Sequence, residues 1–375
     1  MSGHELRIAI VGVGNCASAL LQGIEYYRDH DPERSAGVLH PEIGGYRIED
    51  LRPVAAFDVD ARKVGLPLEH AVFAAPNCTR VFQEKLPSWG VEVEMGPVLD
   101  GVAAHMADGP ATRAFRLAEA APVDIARRLR ETGSEVLVCY LPVGSQRAVE
   151  VYAEAALEAG VAFVNCLPVF IASDPKWAER FRQRGLPIVG DDIKSQVGAT
   201  IVHRTLTRLL GDRGARLAQT YQLNTGGNTD FYNMLERARL ASKKISKTES
   251  VQSQLDTRLP DDRIHVGPSD YVAWQNDNKV AFIRMEWAGF GDTPMNLELR
   301  LSVEDSPNSA GVAIDAIRCA KLALDRGVGG PLEAVSAVTM KHPPRQMRDE
   351  DARRALADFV SGKGDESGER AREGA

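Results

Sequence analysis

The sequence predicts an α/β protein built on a doubly wound, mainly parallel sheet, with an inserted second domain of α+β type. Three observations support this fold class. The N-terminal stretch LRIAIVGVGN is typical of a buried strand that ends in a glycine turn. Between residues 134 and 210, short apolar runs alternate with helical patterns, as in parallel β-α-β units. After residue 211, strand-like runs alternate apolar and polar residues, which indicates strands with one exposed face.

The first unit consists of the strand at residues 6–11, a glycine turn and a helical pattern over about residues 17–27. Gly12-x-Gly14-x-x-Ala17 is a variant of the dinucleotide fingerprint. The first glycine permits the tight turn, the second lets the backbone approach a pyrophosphate, and the small third residue lets the helix pack on the strand. We therefore predict a Rossmann domain that binds NAD at this turn.

Asn15 and Cys16 lie in the same turn, where the free N–H groups of a helix N-terminus attract phosphate, and we include both in the cofactor site. Residues 29–50 are rich in Pro, Gly and charge and predict an inserted loop. The next strand pattern, PVAAFDVD, brings Asp58 to its end. An acid at this place binds the ribose hydroxyls and favours NAD over NADP; the inserted loop explains its distance of 44 residues from Gly14.

The alternation then continues through residue 210. The predicted strands are EVLVCYL, VAFVNC and LPIVG, and the predicted helices are SQRAVEVYAEAALEAG, DPKWAERFRQRG and KSQVGATIVHRTLTRLL. Ligands of such sheets bind at the carboxyl ends of the strands, which here carry the segments 141–145, 165–173 and 189–196. We assign residues 1–200 to the Rossmann domain.

The segment 189–196 places two acids, a lysine and a hydroxyl on one predicted strand-to-helix turn. In VGDDIKSQ, Asp191 or Asp192 could act only as the N-cap of the following helix. The neighbouring Lys194 and Ser195 favour an added role at the cofactor or at a bound cation. Both alternatives are open at this point.

Residues 201–308 are predicted to form the α+β domain, with strands in RLAQTYQLN, KVAFIRMEW and MNLELRLSVE. A long helical pattern from residue 309 to residue 325 leads away from that sheet, and we expect residues 309–361 to return to the Rossmann domain. The tail, residues 362–375, has no apolar face and is predicted to be disordered.

The α+β domain carries a lysine-rich stretch, SKKISK, behind the Gly/Asn-rich turn NTGGNTD, which we expect to open the helix that holds it. On a helix, Lys243 and Lys247 are spaced i, i+4 and share a face, whereas Lys244 points elsewhere and is predicted to be solvated. Lys279 and Lys341 each border an apolar segment, unlike ordinary surface lysines. The alternative for each is a snorkelling or solvated side chain.

Composition excludes several other classes. The net charge of −7 argues against sequence-independent binding of nucleic acid. The five cysteines are scattered and show no C-x-x-C pair, and the eight histidines form no H-E-x-x-H, so neither a disulfide framework nor a dedicated zinc site is predicted. There is no G-x-S-x-G elbow, no apolar run of membrane-spanning length and no signal-peptide pattern. We expect a cytoplasmic protein with no membrane partner.

Nine segments of the chain, taken in order, match those of a known family: IVGVGNCAS, VAAFDVD, YLPVGS, NCLPVFIASDP, VGDDIKSQVGAT, LNTGGNTDFYNMLE, SKKISKT, VGPSD and EDSPNSAG. Through these segments the chain resembles the myo-inositol-1-phosphate synthase family in its shorter actinobacterial form. The resemblance covers residues 7 to 341. It implies a homotetramer that converts D-glucose 6-phosphate to 1D-myo-inositol 3-phosphate with recycled NAD. The implied steps are oxidation at C5, enolisation at C6, aldol closure onto C1, and reduction at C5.

The resemblance also implies roles for individual residues. Lys243 would relay the C5 hydroxyl proton, Lys279 would contact the phosphate or an oxyanion, and Lys341 would stabilise the C1 oxygen. Asp192 and Asp305 would organise these lysines and the nicotinamide. The positions matched around phosphate and cofactor are Ser195, Asn224, Asn228, Asp230 and Lys247, with Tyr152 as a further cofactor candidate. A pocket of several lysines is expected to lower the pKa of each through like-charge repulsion.

The chain departs from the longer eukaryotic pattern in the GVGNCAS and NTGGNTD turns, so the identity of any required cation is unknown. A two-domain NAD(P)-dependent dehydrogenase or reductase is the alternative enzyme, and an NAD-sensing scaffold is the non-enzymatic one. The dehydrogenase does not require lysines at 243, 279 and 341, and the scaffold would be expected to have lost them.

Overall fold

The computed structural model describes residues 5–30, 36–267 and 270–363. The first layer is a seven-stranded sheet in the order β14-β8-β7-β6-β1-β4-β5, with every pairing parallel. Its strands are β1 (Leu6–Val11), β4 (Leu51–Asp58), β5 (Val93–Met95), β6 (Val136–Cys139), β7 (Ala162–Asn165), β8 (Pro187–Val189) and β14 (Gly330–Pro331). The predicted doubly wound parallel sheet is confirmed.

Helices cover this sheet. They are α1 (Asn15–Arg28), α2 (Leu68–Ala71), α3 (Ile125–Glu131), α4 (Gln146–Ala159), α5 (Pro175–Gln183), α9 (Asp305–Asp325), α10 (Glu333–Thr339) and α11 (Asp349–Ser361). One apolar cluster joins one face of the sheet to α1 and α9, and a second joins the other face to α3, α4 and α5. The inserted loop after α1 contains a small hairpin of β2 (Glu42–Ile43) and β3 (Tyr46–Arg47).

The second sheet has the order β10-β9-β12-β13, with β11 also paired to β9. It contains β9 (Arg216–Gly226), β10 (Ile264–Val266), β11 (Asp270–Tyr271), β12 (Asn278–Ala288) and β13 (Pro294–Glu304). The long strands are antiparallel and the two short ones run parallel to β9. α6 (Ala199–Asp212), α7 (Thr229–Asn233) and α8 (Ala241–Gln252) accompany this sheet. The mixed sheet agrees with the predicted α+β character.

Three predicted helix boundaries were wrong. α6 begins at Ala199 and not near Lys194, because the backbone N–H groups of residues 191–194 donate to carbonyls in the segments 166–167 and 339–342 rather than entering a helix. α9 begins at Asp305 and not at Ser309. The prediction missed the first turn because its residues are polar and show no apolar periodicity. The turn NTGGNTD opens only the short α7, and a 3₁₀ turn separates α7 from α8. Arg239 in that turn donates to the carbonyls of Val143 and Asp100, so a tertiary contact bends the chain there.

After β13, the chain returns to the first sheet through α9, which packs on α1, and through β14, which extends the sheet beyond β8. The domain division at residues 200 and 308 stays a prediction. The predicted disordered tail lies outside the described residues from residue 364 onward. Within the described part of the chain, no helix is long and apolar enough to span a bilayer.

His203 on α6 is a fully buried polar side chain between the helix and the second sheet. Its Nε2 lies 2.8 Å from Thr220 Oγ1 and its Nδ1 lies 3.3 Å from Gln222 Oε1. Burial lowers the pKa of His203 to about 4, and the hydrogen bond with Gln222 opposes the shift only in part. The folded protein therefore holds this ring neutral at pH values where an exposed histidine is charged.

This burial predicts a specific pH dependence of stability. Below about pH 6.5 the unfolded chain binds a proton at His203 that the folded protein does not bind, so the free energy of unfolding falls as the pH drops towards 4. The loss amounts to about 3 kcal/mol over that range. Urea unfolding between pH 4 and 7 should show a shallower loss in His203→Gln than in the wild type. His265→Gln, at an exposed position of β10, is the control and should keep the wild-type slope.

Candidate active site

A cleft lies between the carboxyl ends of the parallel strands and the second sheet. It is open to solvent on one side. The structure brings most of the predicted site residues to its wall, namely Gly14, Asn15, Cys16, Asp192, Ser195, Asn228, Asp230, Lys243, Lys247, Lys279, Asp305 and Lys341. These residues come from segments up to 327 positions apart, from Gly14 to Lys341.

The glycine turn forms one wall of the cleft. Gly12 has φ of +84°, and a Cβ there would lie 2.8 Å from the carbonyl oxygen of Tyr140. Gly14 caps α1, and a Cβ there would meet no atom within 4 Å. Gly12 is therefore required by the chain itself, whereas Gly14 keeps open a space beside the helix N-terminus. Ala17 is buried in the first turn of α1, as close helix–strand packing requires.

The side chains of Asp58 and of a buried lysine stabilise the glycine turn by hydrogen bonds to its backbone. The Asp58 carboxylate accepts from the backbone N–H groups of Val13, Val59 and Asp60 at 2.7–2.9 Å. Lys63, which is only 1% exposed, donates to the Val13 carbonyl at 2.6 Å and to Asn77 Oδ1 at 2.8 Å. Burial lowers the pKa of Lys63. Nothing in the sequence pattern DARKVG separates this buried lysine from a surface one, and the sequence analysis missed it.

Asp191 and Asp192 serve different purposes, and neither is an N-cap, so the capping hypothesis was wrong. The backbone N–H groups of residues 191–194 donate to Leu167 and Cys166 on one side and to Thr339 and His342 on the other. The chain bends here, and Asp192 adopts a left-handed conformation with φ of +65°. The hydrogen bonds of the two side chains give their directions: Asp191 faces the loop at 165–173, and Asp192 faces the cleft.

The Asp191 carboxylate accepts five hydrogen bonds: from Asn165 Nδ2, from Ser173 Oγ, and from the backbone N–H groups of Ile171, Ala172 and Ser173. Burial raises its pKa to about 6, although all five bonds favour the carboxylate. Asp191 thereby shapes the loop whose residues 166–168 line the cleft. Lys194 also turns away from the cleft, because its Nζ donates to the buried carbonyl of Ala337.

The far wall of the cleft is a cluster of lysines and aspartates. Lys243 Nζ lies 2.8 Å from Asp230 Oδ2, Lys279 Nζ lies 3.1 Å from Asp305 Oδ1, and Lys341 Nζ lies 2.8 Å from Asp192 Oδ1. Ser246 on α8 donates to the second oxygen of Asp192 at 2.6 Å. Three of the lysines are thus held as ion pairs that are largely shielded from water.

Lys247 is the exception. It is 4% exposed, lines the cleft one helical turn beyond Lys243, and has no hydrogen bond or ion pair to any residue that the structure describes. Burial, and then repulsion by Lys279, Lys243 and Lys341, lower its pKa well below the ordinary value. Lys244 points to solvent, as predicted.

Lys243 behaves in the opposite way, so the expectation that every lysine of the cluster has a lowered pKa was wrong. Burial disfavours its charge, but the carboxylates of Asp230 and Asp192 outweigh burial and raise the pKa of Lys243. Burial likewise opposes the charge of Asp192, but Lys341, and to a lesser extent Lys243, outweigh it and lower the pKa of Asp192. Lys243 therefore keeps its charge, whereas burial and the neighbouring lysines disfavour the charge of Lys247.

The N-termini of two long helices also face the cleft. α1 presents Asn15 and Cys16, and α9 presents Asp305 and Ser306. Cys16 Sγ lies 3.9 Å from Ser306 Oγ, so the two helix ends almost touch. The free backbone N–H groups at the start of α1 and the dipoles of both helices add positive potential to that of the lysines. A cleft of this kind is suited to a ligand that carries phosphate groups.

Five predicted site residues do not line the cleft: Gly12, Ala17 and Asp58 form or support the glycine turn, and Tyr152 and Asn224 lie elsewhere. Tyr152 on α4 is 1% exposed and packs beside Phe57 in the apolar core. Asn224 on β9 is buried against the second sheet, where it accepts from Gln222 Nε2. Among the described residues, no group of three or more His, Cys, Asp or Glu side chains is placed to hold a metal ion.

The comparisons with known proteins agree with one another. The family model for myo-inositol-1-phosphate synthase matches residues 198–306. The inositol-3-phosphate synthase of Mycolicibacterium smegmatis is 54% identical over 369 residues, which cover 96% of this chain and 100% of the relative. That of Corynebacterium glutamicum is 52% identical over 366 residues and covers 96% and 99% of the two chains.

Solved structures show the same fold. The structure of Ari2 superposes with a TM-score of 0.75 at 40% identity, and covers 95% of this chain and 98% of its own. A myo-inositol-1-phosphate synthase-related protein from Thermotoga maritima superposes with a TM-score of 0.76 at 24% identity, and covers 96% and 99% of the two chains. At that identity the second likeness concerns the fold alone.

The hydrogen bonds of Asp191 predict a stability effect of their own. Asp191→Ala leaves five donors, three of them in buried hydrogen bonds, without this acceptor, so we expect the free energy of unfolding to fall by at least about 3 kcal/mol. The control is Asp174→Ala, which removes the half-buried N-cap of α5 and should cost about 1 kcal/mol. Urea unfolding of both variants measures the difference. Equal losses in the two variants would contradict the assigned role of Asp191.

Proposed function

Because the chain belongs to the myo-inositol-1-phosphate synthase family, we propose that it converts D-glucose 6-phosphate to 1D-myo-inositol 3-phosphate, with NAD as a recycled cofactor. The observation that carries this proposal is the joining, in one cleft, of a dinucleotide-type glycine turn to a cluster of four shielded lysines. An isomerisation that passes through a sugar ketone needs both a hydride carrier and fixed cations for the oxygen atoms whose charge changes.

The glycine turn, which forms one wall of the cleft, fits a dinucleotide. The open space over Gly14 and the N-terminus of α1 would hold the pyrophosphate, and Asp58 at the end of β4 would hold the ribose. NAD, when bound, supplies the hydride acceptor for C5 and later returns the hydride. Every other task falls to the side chains of the cleft.

The lysine cluster can divide the remaining work by charge state. Lys247, with its lowered pKa, can accept the proton of the C5 hydroxyl when that carbon is oxidised, and can return it on reduction. Lys243, Lys279 and Lys341 are each paired with an aspartate, and their ammonium groups can stabilise oxyanions and the phosphate. We therefore propose Lys247 as the proton carrier, a role that the resemblance alone had placed on Lys243.

The exposed face of the second sheet supports a homotetramer as the proposed assembly. Tyr221 and Leu223 on β9 and Phe282 on β12 are all more than one-third exposed, and Phe282 pairs across the strands with Leu223. Exposed apolar side chains that lie side by side on a sheet are typical of a surface that another chain covers. The cytoplasmic location and the identity of any cation stay predictions.

The proposed activity predicts a particular stoichiometry. With D-glucose 6-phosphate and a trace of NAD, we expect inositol phosphate to accumulate over many turnovers while the absorbance of NADH stays flat. The product is detected by phosphate release after oxidation, in parallel reactions with added EDTA and without added NAD. Formation of one NADH per substrate molecule would instead support the NAD(P)-dependent dehydrogenase.

The charge states predict different effects for the two lysines of α8. Lys247→Met should lower kcat by at least about 100-fold, because it removes the proton carrier. In the wild type, kcat/KM should fall as the pH drops through the lowered pKa of Lys247, since protonation removes the base. Lys247→Arg keeps the charge but should remain inactive, and the exposed Lys244→Met is the control with wild-type activity. Substantial activity in Lys247→Arg would exclude the proton-carrier role.

A further inference from the structure

The turn that precedes β12 is pressed against two cavity-lining segments. The backbone carbonyl of Asn276 accepts from Gly227 N at 3.0 Å, and that of Asp277 accepts from Asp305 N at 3.0 Å. A Cβ on Gly227 would lie 2.4 Å from the Val272 carbonyl oxygen, so only glycine fits at this contact. The turn consequently connects the segment that begins α7 to the first residues of α9.

Asp277 reinforces both connections with its side chain. It is 1% exposed, and its Oδ1 accepts from Asn228 Nδ2 and from Ser306 Oγ, each at 2.9 Å. Its Oδ2 accepts from the backbone N–H of Ser306 at 3.1 Å. Asn228 and Ser306 both line the cleft, whereas Asp277 does not. Burial and the nearby Asp305 raise the pKa of Asp277 to about 6, so holding a carboxylate here is costly.

These hydrogen bonds determine which polar atoms of Asn228 and Ser306 remain available to a ligand in the cleft. Asn228 Oδ1 accepts from the backbone N–H of Phe231 as the N-cap of α7, so its amide group cannot rotate without losing a bond at each end. The second N–H of that amide remains for the cleft. The hydroxyl of Ser306 donates its proton to Asp277, so its oxygen can act only as an acceptor; one lone pair faces the Cys16 thiol at 3.9 Å and the other remains for the cleft.

We propose that Asp277 is a positioning residue that makes Asn228 a hydrogen-bond donor, and Ser306 an acceptor, towards the sugar phosphate in the cleft. This assignment rests on the proposed function, because it concerns the polar atoms that meet the substrate. The role of Asp277 differs from that of the aspartates that pair with lysines, because the side-chain partners of Asp277 are an amide and a hydroxyl.

Asp277→Asn tests the proposal with little change of shape. Because the backbone N–H of Ser306 still needs an acceptor, the new amide group must point its NH₂ at Asn228, where two donors then meet. Asn228 must rotate and release Phe231 N. We expect kcat to fall at least about tenfold, with a lower midpoint of thermal unfolding. The control is Asp124→Asn, which alters an N-cap on α3 away from the cleft and should leave turnover unchanged.

The exchanged pair Asn228→Asp with Asp277→Asn separates positioning from stability. The carboxylate introduced at position 228 can cap α7 and accept from the amide introduced at position 277, so the hydrogen bonds and the unfolding midpoint should recover. The donor towards the cleft is lost, so turnover should stay low. Recovery of turnover together with stability would overturn the proposal, as would wild-type kcat in Asp277→Asn alone. Wild-type protein that makes no inositol phosphate would instead overturn the proposed function.

Discussion

The cleft depends on one electrostatic constraint: four ammonium groups can share a space shielded from water only if carboxylates balance most of their charge. Asp230, Asp305 and Asp192 balance Lys243, Lys279 and Lys341. Within the described part of the chain, Lys247 has no such partner. The same cluster therefore contains fixed cations and one lysine whose charge is disfavoured, and this difference provides a proton acceptor beside groups that stabilise anions.

The backbone makes that balance possible. Backbone hydrogen bonds hold residues 191–194 between the loop at 166–167 and the segment at 339–342, and a bend with φ of +65° at Asp192 turns the Asp191 and Asp192 side chains in different directions. A helix starting at this point would have removed Asp192 from the lysines. The segment at 339–342 also brings Lys341 next to Asp192, because the Lys341 N–H donates to the Asp192 carbonyl at 2.7 Å. The backbone pairing and the ion pair therefore support each other.

The buried polar groups behind the cleft have a common purpose, which is to fix the orientation of groups in front of them. Asp58 and Lys63 bind the N–H and the carbonyl of Val13 in the glycine turn. Asp277 binds Asn228 and Ser306 at the opposite wall. Each is costly to bury and each is hydrogen-bonded to several partners, as expected where orientation matters more than stability.

The sequence by itself determined the parallel sheet, the glycine turn at residues 12–14, the α+β character of the second sheet, and the shared face of Lys243 and Lys247. These features follow from periodicity and turn chemistry, which depend on residues close together in the chain. Only the tertiary structure decided that Lys247 rather than Lys243 carries the lowered pKa, that Asp192 rather than Asp191 faces the cleft, that Tyr152 lies in the core, and that Lys63 and Asp277 are buried. Charge state, burial and side-chain direction depend on distances between segments far apart in sequence, and no local pattern contains those distances.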